Sequence, residues 1–400
     1  MTTPEMSRAA TSTSPLDQLV GRFDPDVFDV GRPEARIRIE GAGSEVQDVV
    51  IEKGRARVEP ALGTADAELV GDAETWEAVA SDIRDGMAAY RQGRLRVRRD
   101  LHLGVGFLAA TAPQGGAGRL RVRGVATAAG RISTLDAGDG DPVLLIHGLG
   151  ATKASFLPTA AALAPESRTI AVDLPGFGDS DKPLRGAYDA PYFAETMVAL
   201  LDALEIERAH VVGNSMGGRV AIELGLSFPE RVGRLALLAP SLAWLRSRPW
   251  APYLRWVPTQ LGVIQPAPRP IVEAIVRRVI PGSDEEWTSA GIDEFLRSYL
   301  TPSGRAAFYA AARNIYLEEP HGKNGFWTRL PELSVDSLFV WGRQDAIVPA
   351  AFAQHVEEAL PHTEHLLLDC GHVPQLEQPR RTHEAIRRFF AGLPLVQRQP

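Results

Sequence analysis

The chain has 400 residues, 44% of them hydrophobic, which predicts two globular domains and excludes both a single small module and a disordered protein. Its 43 Lys and Arg residues against 50 Asp and Glu residues give a net charge of −7. Proteins that bind nucleic acids neutralise phosphates with an excess of basic residues, so we expect no nucleic-acid partner.

Cysteine usage and apolar runs narrow the class of protein further. Cys370 is the single cysteine of the sequence, which excludes an intramolecular disulfide framework and a zinc site with two or more thiolate ligands. The sequence has neither the apolar stretch of about 7–15 residues that a signal peptide needs nor the run of about 18 that is typical of a membrane helix. We therefore expect a cytoplasmic protein without a metal site, with residues 1–15 as a disordered tail.

Residues 16–112 combine strand and helix patterns. Alternating residues predict strands at 35–40 and 46–51, helical spacing predicts a helix over 75–90, and an apolar segment interrupted by glycines occupies 101–110. The order of these elements predicts a small α+β domain.

A further strand is expected after Gly93, where apolar and basic residues alternate. Leu95 and Val97 point to one face of that strand, and Arg94, Arg96 and Arg98 point to the other. A solvated sheet face accounts for the arginines; the alternative is a site for an anionic head group.

Glycine-rich sequence separates this domain from the next. At residues 113–124 the segment PQGGAGRLRVRG predicts a linker. In residues 125–400, short uncharged apolar runs alternate with helical patterns, which predicts an α/β fold with a doubly wound, mostly parallel sheet. The predicted strands are 142–146, 169–172, 209–212, 235–238, 337–341 and 365–368.

The alternation stops between Pro240 and about Pro331, and we interpret residues 241–331 as a helical cap over the carboxyl edge of the sheet. Its aromatic residues, many of them in the stretch WLRSRPWAPYLRWVP, are explained by packing of the cap on the core. A lining that faces the substrate is the alternative.

The strand at 209–212 runs directly into the motif GNSMGG, and a helical pattern follows. A G-x-S-x-G motif between a strand and a helix places its serine on a strained turn with an exposed side chain, and the flanking glycines allow helix and strand to approach closely. We therefore predict that Ser215 is a nucleophile.

A serine hydroxyl needs a base, and the base needs a carboxylate that fixes its tautomer. Asp345 and His372 each follow a predicted strand, and the chain order Ser, Asp, His is the one that accompanies a serine on such a turn. Asp336 precedes its strand, and Asp369 adjoins the histidine too closely to reach around its ring. His372 is therefore the predicted base, and Asp345 is the residue predicted to orient it.

Acyl transfer also needs donors for the negative charge that develops on the carbonyl oxygen. The predicted donors are the backbone N–H groups of Met216, directly after the serine, and of Leu149, in the loop after the first core strand. We interpret His147 as a residue that orients this loop. The segment DLPGFGDS, which begins at Asp173, is interpreted as a turn whose acidic groups bind backbone.

Together these motifs resemble the α/β-hydrolase fold family, in its cap-bearing branch of esterases, cofactor-free haloperoxidases and carbon–carbon bond hydrolases. The resemblance covers about residues 125–392 through HGLG, DLPGFGDSD, GNSMGG, GRQDAIVP and GHVPQLEQP. It implies the roles given above to Ser215, Asp345, His372 and the two oxyanion donors. Epoxide hydrolases and haloalkane dehalogenases of this family carry aspartate in place of the serine, which argues against those activities.

GNSMGG is also similar to the carbon–carbon hydrolases of aromatic ring degradation, in which Asn214 would match a polar residue that binds substrate. The oxyanion loop HGLGATK is less glycine-rich than theirs, and Val373 follows the histidine where they usually carry tryptophan. Ester hydrolysis is therefore the preferred interpretation.

Residues 16–112 resemble the lipid-transfer domain of the sterol carrier proteins, through the patterns DAELVGDAETWEAVASD and AAYRQGRLRVRRD and the apolar terminal segment. This resemblance implies a five-stranded sheet and helices around an apolar tunnel. The arginines of the last strand depart from the mixed composition that is frequent in that family, which leaves the polarity of the ligand open.

We therefore expect a serine hydrolase that cleaves a carboxylic ester or thioester of an apolar, lipid-like acyl compound through an acyl-enzyme, without a metal or organic cofactor. Its expected partners are a small apolar ester or lipid and, transiently, a membrane or lipid surface. Two alternatives stay open. One is a carbon–carbon hydrolase or perhydrolase of the same fold, and the other is a lipid carrier or sensor with little turnover.

Overall fold

The computed structural model describes residues 14–28, 34–43, 45–82, 92–112, 120–244 and 285–395, together with isolated residues between 86 and 90 and between 268 and 274. Nearly all of the predicted tail, most of the predicted linker and most of the tryptophan-rich part of the predicted cap lie outside the described residues. Those that are described form two β-sheets, one on each side of residues 113–119.

The first sheet belongs to the N-terminal unit, defined here as the described residues up to 112. Its strands are β1 (Glu34–Glu40), β2 (Gln47–Glu52), β3 (Arg55–Pro60), β4 (Ala67–Val70) and β5 (Arg96–Arg98), in the order β3-β2-β1-β4-β5. Helices of this unit are α1 (Pro15–Val20), α2 (Ala73–Ser81) and α3 (Leu101–Ala110). β1 and β2 confirm the strands predicted at 35–40 and 46–51, and β5 is the strand expected after Gly93.

Two features of this unit differ from the sequence prediction. The helix predicted over 75–90 is interrupted, because Asp82 takes an extended conformation, with φ −149° and ψ 125°, and ends α2, while the described residues 86, 89 and 90 are helical again. Aspartate competes with helical hydrogen bonding, which the spacing of apolar residues does not show. β3 and β4 were not predicted, because β3 has no fully buried residue and β4 has only four residues.

Helix α3 joins the N-terminal unit to the second sheet. All ten of its residues are buried, and Asp100 caps its start by accepting a hydrogen bond from the Leu103 N–H at 2.9 Å. A Cβ at Gly104 would lie 2.4 Å from Val97, so this glycine lets α3 approach the first sheet. Because α3 also contacts the first strand of the second sheet, one hydrophobic core extends through both.

The second sheet has the strand order β13-β12-β11-β10-β8-β9-β7-β6. Its strands are β6 (Arg121–Thr127), β7 (Gly130–Ala137), β8 (Asp141–Ile146), β9 (Ser167–Val172), β10 (Ala209–Asn214), β11 (Val232–Leu238), β12 (Ser337–Gly342) and β13 (Glu364–Leu368). β7 runs antiparallel to both its neighbours, and the other neighbouring strands are parallel. The six strands predicted for this part of the chain are confirmed, in a mixed sheet.

The predicted linker ends too late. β6 begins at Arg121 and pairs with β7 along its whole length, so residues 121–124 belong to the second sheet. The arginines and the glycine of RVRGVAT suggest linker sequence because β6 is an edge strand with one fully buried residue.

Helices alternate with the strands of this sheet. They are α4 (Leu157–Leu163), α5 (Ala190–Ala203), α6 (Met216–Ser227), α7 (Glu285–Tyr299), α8 (Pro302–Tyr316), α9 (Phe326–Arg329), α10 (Phe352–Ala359), α11 (Pro374–Glu377) and α12 (Pro379–Phe390). No helix in the described part of the chain has the length and apolar character needed to cross a membrane.

Helices α7 and α8 lie between β11 and β12 in the chain, inside the predicted cap. They pack against loops that follow β8 and β9: a Cβ at Gly150 would lie 2.9 Å from Phe295, and a Cβ at Gly176 would lie 2.5 Å from Ala307. Both helices therefore sit at the carboxyl edge of the sheet, as a cap would, and the limits 241–331 stay a prediction.

Three glycines allow α6 to begin directly behind β10. A Cβ at Gly213 would lie 2.3 Å from the carbonyl oxygen of Gly217, and a Cβ at Gly217 would lie 2.0 Å from that of Ile146. A Cβ at Gly218 would lie 2.7 Å from Pro240. The close approach of helix and strand expected from GNSMGG is therefore present, and it requires glycine at each of these positions.

Replacing Gly217 by alanine tests this packing. We expect Gly217→Ala to lower the free energy of unfolding by about 3 kcal/mol, because the added methyl group meets backbone that cannot move aside. Gly291→Ala is the matched control, since Gly291 is exposed within α7 and a Cβ there has no neighbour within 4 Å. The control should raise stability by up to about 1 kcal/mol. Equal effects of the two changes in urea denaturation would contradict this account.

Candidate active site

Ser215 stands on a strained turn between β10 and α6. Its φ of 53° and ψ of −118° are unusual for a residue with a side chain. Backbone hydrogen bonds hold this conformation: the Ser215 N–H donates to Leu238 O at 3.0 Å, and its carbonyl accepts from Arg219 and Ser241 at 3.1 and 2.8 Å. The predicted serine is thereby held rigidly at the carboxyl end of β10.

The structure brings the predicted base and its carboxylate together. Nδ1 of His372, in the loop after β13, lies 2.7 Å from Oδ2 of Asp345, in the loop after β12. Both side chains are buried. The other carboxylate oxygen of Asp345 accepts hydrogen bonds from the N–H groups of Ile347 and Val348 at 2.7 and 2.9 Å. This carboxylate is therefore fixed on both sides, and it faces the imidazole at the same sheet edge as Ser215.

Asn214, which we expected to bind substrate, is instead engaged with backbone. Its side-chain amide donates to Leu238 O at 2.9 Å and to His372 O at 3.1 Å. An amide nitrogen carries two hydrogens, so both have acceptors, and the residue is buried. These contacts indicate that Asn214 holds the His372 loop against the end of β10. They argue against a role in substrate binding.

Residues 147–153, the oxyanion loop, follow β8 and pass beside the serine. A Cβ at Gly148 would lie only 3.1 Å from Cβ of Ser215. Leu149 comes next in this loop, and Met216 is the first residue of α6, where N–H groups have no acceptor within the helix. Both backbone segments predicted to supply oxyanion donors thus adjoin Ser215.

His147 orients this loop, in agreement with the prediction. Its Nδ1 lies 2.7 Å from Gly148 O, and its Nε2 accepts a hydrogen bond from the Leu174 N–H at 3.0 Å. The second contact makes Nδ1 the protonated nitrogen of a neutral ring. Burial lowers the pKa of His147, which keeps the ring neutral.

The other end of the oxyanion loop is held by a buried ion pair that the sequence analysis missed. As predicted, Asp173 accepts backbone hydrogen bonds, from Lys153 at 2.8 Å and Asp179 at 2.9 Å. It also lies 2.5 Å from Nζ of Lys153, and both side chains are buried. A lysine in a polar loop carries no sequence signal of burial, so only the fold reveals this pair.

Tyr316, the last residue of α8, is a second site residue that the sequence analysis missed. Its hydroxyl lies within hydrogen-bonding reach of Ser215, and burial raises its pKa to about 12. The phenol therefore stays protonated at neutral pH. No sequence motif connects a tyrosine in the cap to a distant serine, so no signal could have identified it.

A buried ion pair fastens the segment after α8 to α6. Arg219, one helical turn after Ser215, bonds to Glu318, two residues after Tyr316. It also pairs with Glu223 at 2.8 Å, and its side chain is almost completely buried. This pair therefore fixes the position of Tyr316 relative to the serine.

Aromatic rings from α7 and α8 form an apolar wall beside the oxyanion loop. The centroid of Phe295 lies 4.8 Å from that of Tyr299 and 5.7 Å from that of Phe308. Phe295 and Phe308 both pack on Gly150. Within the described ranges, no group of three or more His, Cys, Asp or Glu side chains is placed to hold a metal ion.

The contacts of Asn214 predict the effect of removing its amide. We expect Asn214→Ala to lower kcat toward p-nitrophenyl esters by about tenfold with little change in KM, because the His372 loop loses its anchor while the substrate loses no contact. The midpoint of thermal unfolding should also fall. A raised KM at unchanged kcat would restore the original interpretation of Asn214 as a substrate-binding residue.

Comparisons with known proteins agree with this geometry. A sequence model described as the alpha/beta hydrolase family matches residues 143–385. The 2-hydroxymuconate semialdehyde hydrolase of Pseudomonas putida is 30% identical over 285 residues, which cover 67% of this chain and 94% of the relative. The dihydrolipoyllysine-residue acetyltransferase component of the acetoin cleaving system of Pseudomonas putida is 30% identical over 385 residues, covering 90% and 94%.

Solved structures show the same similarity. A bacterial membrane phospholipase A superposes with a TM-score of 0.59 at 27% identity, over 68% of this chain and 86% of that chain. A meta-cleavage product hydrolase superposes with a TM-score of 0.56 at 25% identity, over 68% and 98%. The chain therefore belongs to the alpha/beta hydrolase family, and its relatives include carbon–carbon bond hydrolases.

Proposed function

We propose that the chain is a serine hydrolase that cleaves a carboxylic ester or thioester of an apolar acyl compound through an acyl-enzyme on Ser215. The observation that carries this proposal is the 2.7 Å contact between His372 and Asp345, at the sheet edge where Ser215 stands on its strained turn. This arrangement suits nucleophilic catalysis by a serine.

The hydrogen bond to Asp345 fixes the tautomer of the base. Its Oδ2 accepts from Nδ1–H of His372, so the lone pair of Nε2 is left to take the proton of Ser215. Two backbone N–H groups on Oδ1 stabilise the charged carboxylate. The imidazolium that forms is therefore stabilised by a fixed negative charge.

The reaction then follows in two steps. Oγ of Ser215 bonds to the acyl carbon while its proton passes to His372, and the N–H groups of Leu149 and Met216 bind the oxyanion. His372 gives the proton to the leaving alcohol or thiol as the bond to the acyl carbon breaks. Water, deprotonated by His372, next attacks the acyl-enzyme, and His372 returns the proton to Oγ of Ser215 as the bond to the acyl carbon breaks and the acid leaves.

The preference for an apolar acyl group is supported by the wall beside the oxyanion loop. Phe295 and Phe308 lie against Gly150, next to the residue proposed as an oxyanion donor. Aromatic rings at this position favour burial of hydrocarbon over charged groups.

Carbon–carbon hydrolysis is the second candidate, and the relatives favour it. Two relatives cited above are named as hydrolases of 2-hydroxymuconate semialdehyde and of a meta-cleavage product. The loop HGLGATK and Val373 after the histidine depart from such enzymes, which keeps ester cleavage as the first proposal. Perhydrolysis by the same residues, and a lipid carrier with little turnover, are the remaining alternatives.

Two substitutions test the nucleophile and its base. Ser215→Ala should lower kcat for p-nitrophenyl esters at least about 10⁴-fold and abolish labelling by a fluorophosphonate probe, because both reactions need Oγ. Asp345→Asn keeps the shape of the side chain but favours the wrong tautomer of His372, and it should cost about 10⁴-fold. Full turnover by Ser215→Ala would exclude the proposal, and a wild-type protein without labelling would favour the carrier.

A paired assay separates the two chemistries. We expect wild-type protein to hydrolyse p-nitrophenyl esters of several chain lengths and to leave 2-hydroxymuconate semialdehyde intact. The reason is that the aromatic wall of the protein favours binding of a hydrocarbon acyl chain. Initial rates of both should be measured on one preparation, with Ser215→Ala as the blank. Faster turnover of the semialdehyde than of any ester would replace the first proposal by the second.

We further propose that the N-terminal unit binds a lipid, as its sterol-carrier-like pattern implies, and presents it to the hydrolase. The support is the apolar character of α3, which carries one polar side chain, His102, in ten residues. Because all of α3 is buried, a ligand would have to separate it from the strands that it contacts. Transient contact with a lipid surface belongs to the same proposal.

Native mass spectrometry of the full chain tests lipid binding. We expect a lipid adduct on the purified protein that persists after Ser215 is blocked with a fluorophosphonate, because the ligand would lie outside the hydrolase pocket. An adduct that the probe displaces would place the lipid in the hydrolase site instead. A protein without any adduct, even after incubation with phospholipid vesicles, would contradict the proposal.

A further inference from the structure

We infer that the N-terminal unit has a part in catalysis, because Arg98 and Asp100 act as positioning residues for the oxyanion loop through helix α7. The inference rests on the proposed function, in which that loop supplies an oxyanion donor. It assigns to this unit a role other than lipid binding, and it is carried by a group of ionisable side chains at the junction of three parts of the chain.

The first contact joins the N-terminal unit to helix α7. Arg98, at the end of β5, places Nε and Nη2 at 3.0 and 2.9 Å from one carboxylate oxygen of Asp293. The backbone N–H of Arg99 reaches the same oxygen at 3.3 Å. The Asp293 side chain is 8% exposed and that of Arg98 is 38% exposed, so water screens this pair on the side of the arginine only.

One turn later, α7 reaches the hydrolase. The guanidinium of Arg297 forms a two-pronged pair with Asp179, at 2.6 and 2.9 Å. Its Nη2 lies 2.6 Å from Glu294 and its Nε lies 3.7 Å from Asp100, the residue that caps α3. A planar guanidinium with several anionic partners in fixed directions sets both the position and the rotation of its helix.

Asp179 connects Arg297 of α7 to the oxyanion loop. It lies 3.3 Å from Nε2 of His102 and 3.6 Å from Nζ of Lys153. Its backbone N–H donates to Asp173, which binds both the N–H and the ammonium of Lys153, the last residue of the loop. Burial lowers the pKa of His102 to about 3, so the imidazole packs here as a neutral ring.

A second route from α7 to the loop is steric. Phe295 lies between Asp293 and Arg297 in the sequence of α7, and its ring packs on Gly150, which follows the proposed donor Leu149. Any shift of α7 therefore displaces the oxyanion loop both at its middle, Gly150, and at its last residue, Lys153. Displacements of about 1 Å in a catalytic group cost large factors in rate, so contacts from the N-terminal unit can govern turnover.

A charge exchange tests the inference. Arg98→Asp and Asp293→Arg should each lower kcat by about fivefold to tenfold, because α7 shifts the oxyanion loop. KM for apolar esters should rise as well, because Phe295 of the apolar wall moves with α7. Combining the two changes restores opposite charges and should return kcat to within about twofold of wild type. Glu68→Gln is the matched control, because it removes the ion pair of Arg99 inside the N-terminal unit. It should leave kcat unchanged.

Amide hydrogen exchange in residues 147–153 gives a readout that does not depend on activity. We expect faster exchange in Arg98→Asp, wild-type exchange in the combined variant and no change in Glu68→Gln. Unchanged exchange and kcat in the single variants would overturn the inference, as would a loss that the charge exchange does not rescue while the thermal midpoint stays at the wild-type value. A wild-type protein without turnover or labelling would overturn only the proposed function, and exchange would still decide the role of the N-terminal unit.

Discussion

The close approach of α6 to β8 and β10 is the constraint on which the site depends. With Gly213 and Gly217 in contact with backbone, the chain has no room for a gradual turn, and Ser215 takes a strained left-handed conformation. That strain is offset by hydrogen bonds to the end of β11, to α6 and to the loop that follows β11, which together hold the turn. A nucleophile placed in this way cannot relax away from the residues that face it.

Steric exclusion and buried charge position different parts of the site around this serine. Glycines position the nucleophile, whereas ion pairs position the parts that surround it: Lys153 with Asp173 at the oxyanion loop, and Arg219 with Glu318 beneath Tyr316. Buried ion pairs add little net stability, because removing charges from water costs about as much as their attraction returns. Their value here is geometric, since a charge that loses its partner inside the protein is costly and the arrangement therefore has few alternatives.

Much of the fold and of the candidate site could be predicted because the signals are local. Strands of the parallel sheet are short apolar runs, and Ser215, Asp345 and His372 each come within a few residues of the end of such a run. Asn214 shows the limit of this reasoning, because its motif suggested substrate binding, whereas its amide donates to the carbonyl groups of Leu238, at the end of β11, and of His372. Tyr316 could not be predicted, since its contact with the serine depends on how α8 is docked.

By itself the sequence determined where most of the strands lie along the chain, the strained serine and the residues that follow the strand ends, because backbone sterics and hydrophobic burial act over a few neighbouring residues. Only the tertiary structure decided which charges are buried and paired. The junction of α3, α7 and the oxyanion loop brings Asp100, Asp179 and Arg297 together from three distant segments. Their pairing depends on desolvation, which arises when the surfaces close on one another and leaves no pattern along the chain.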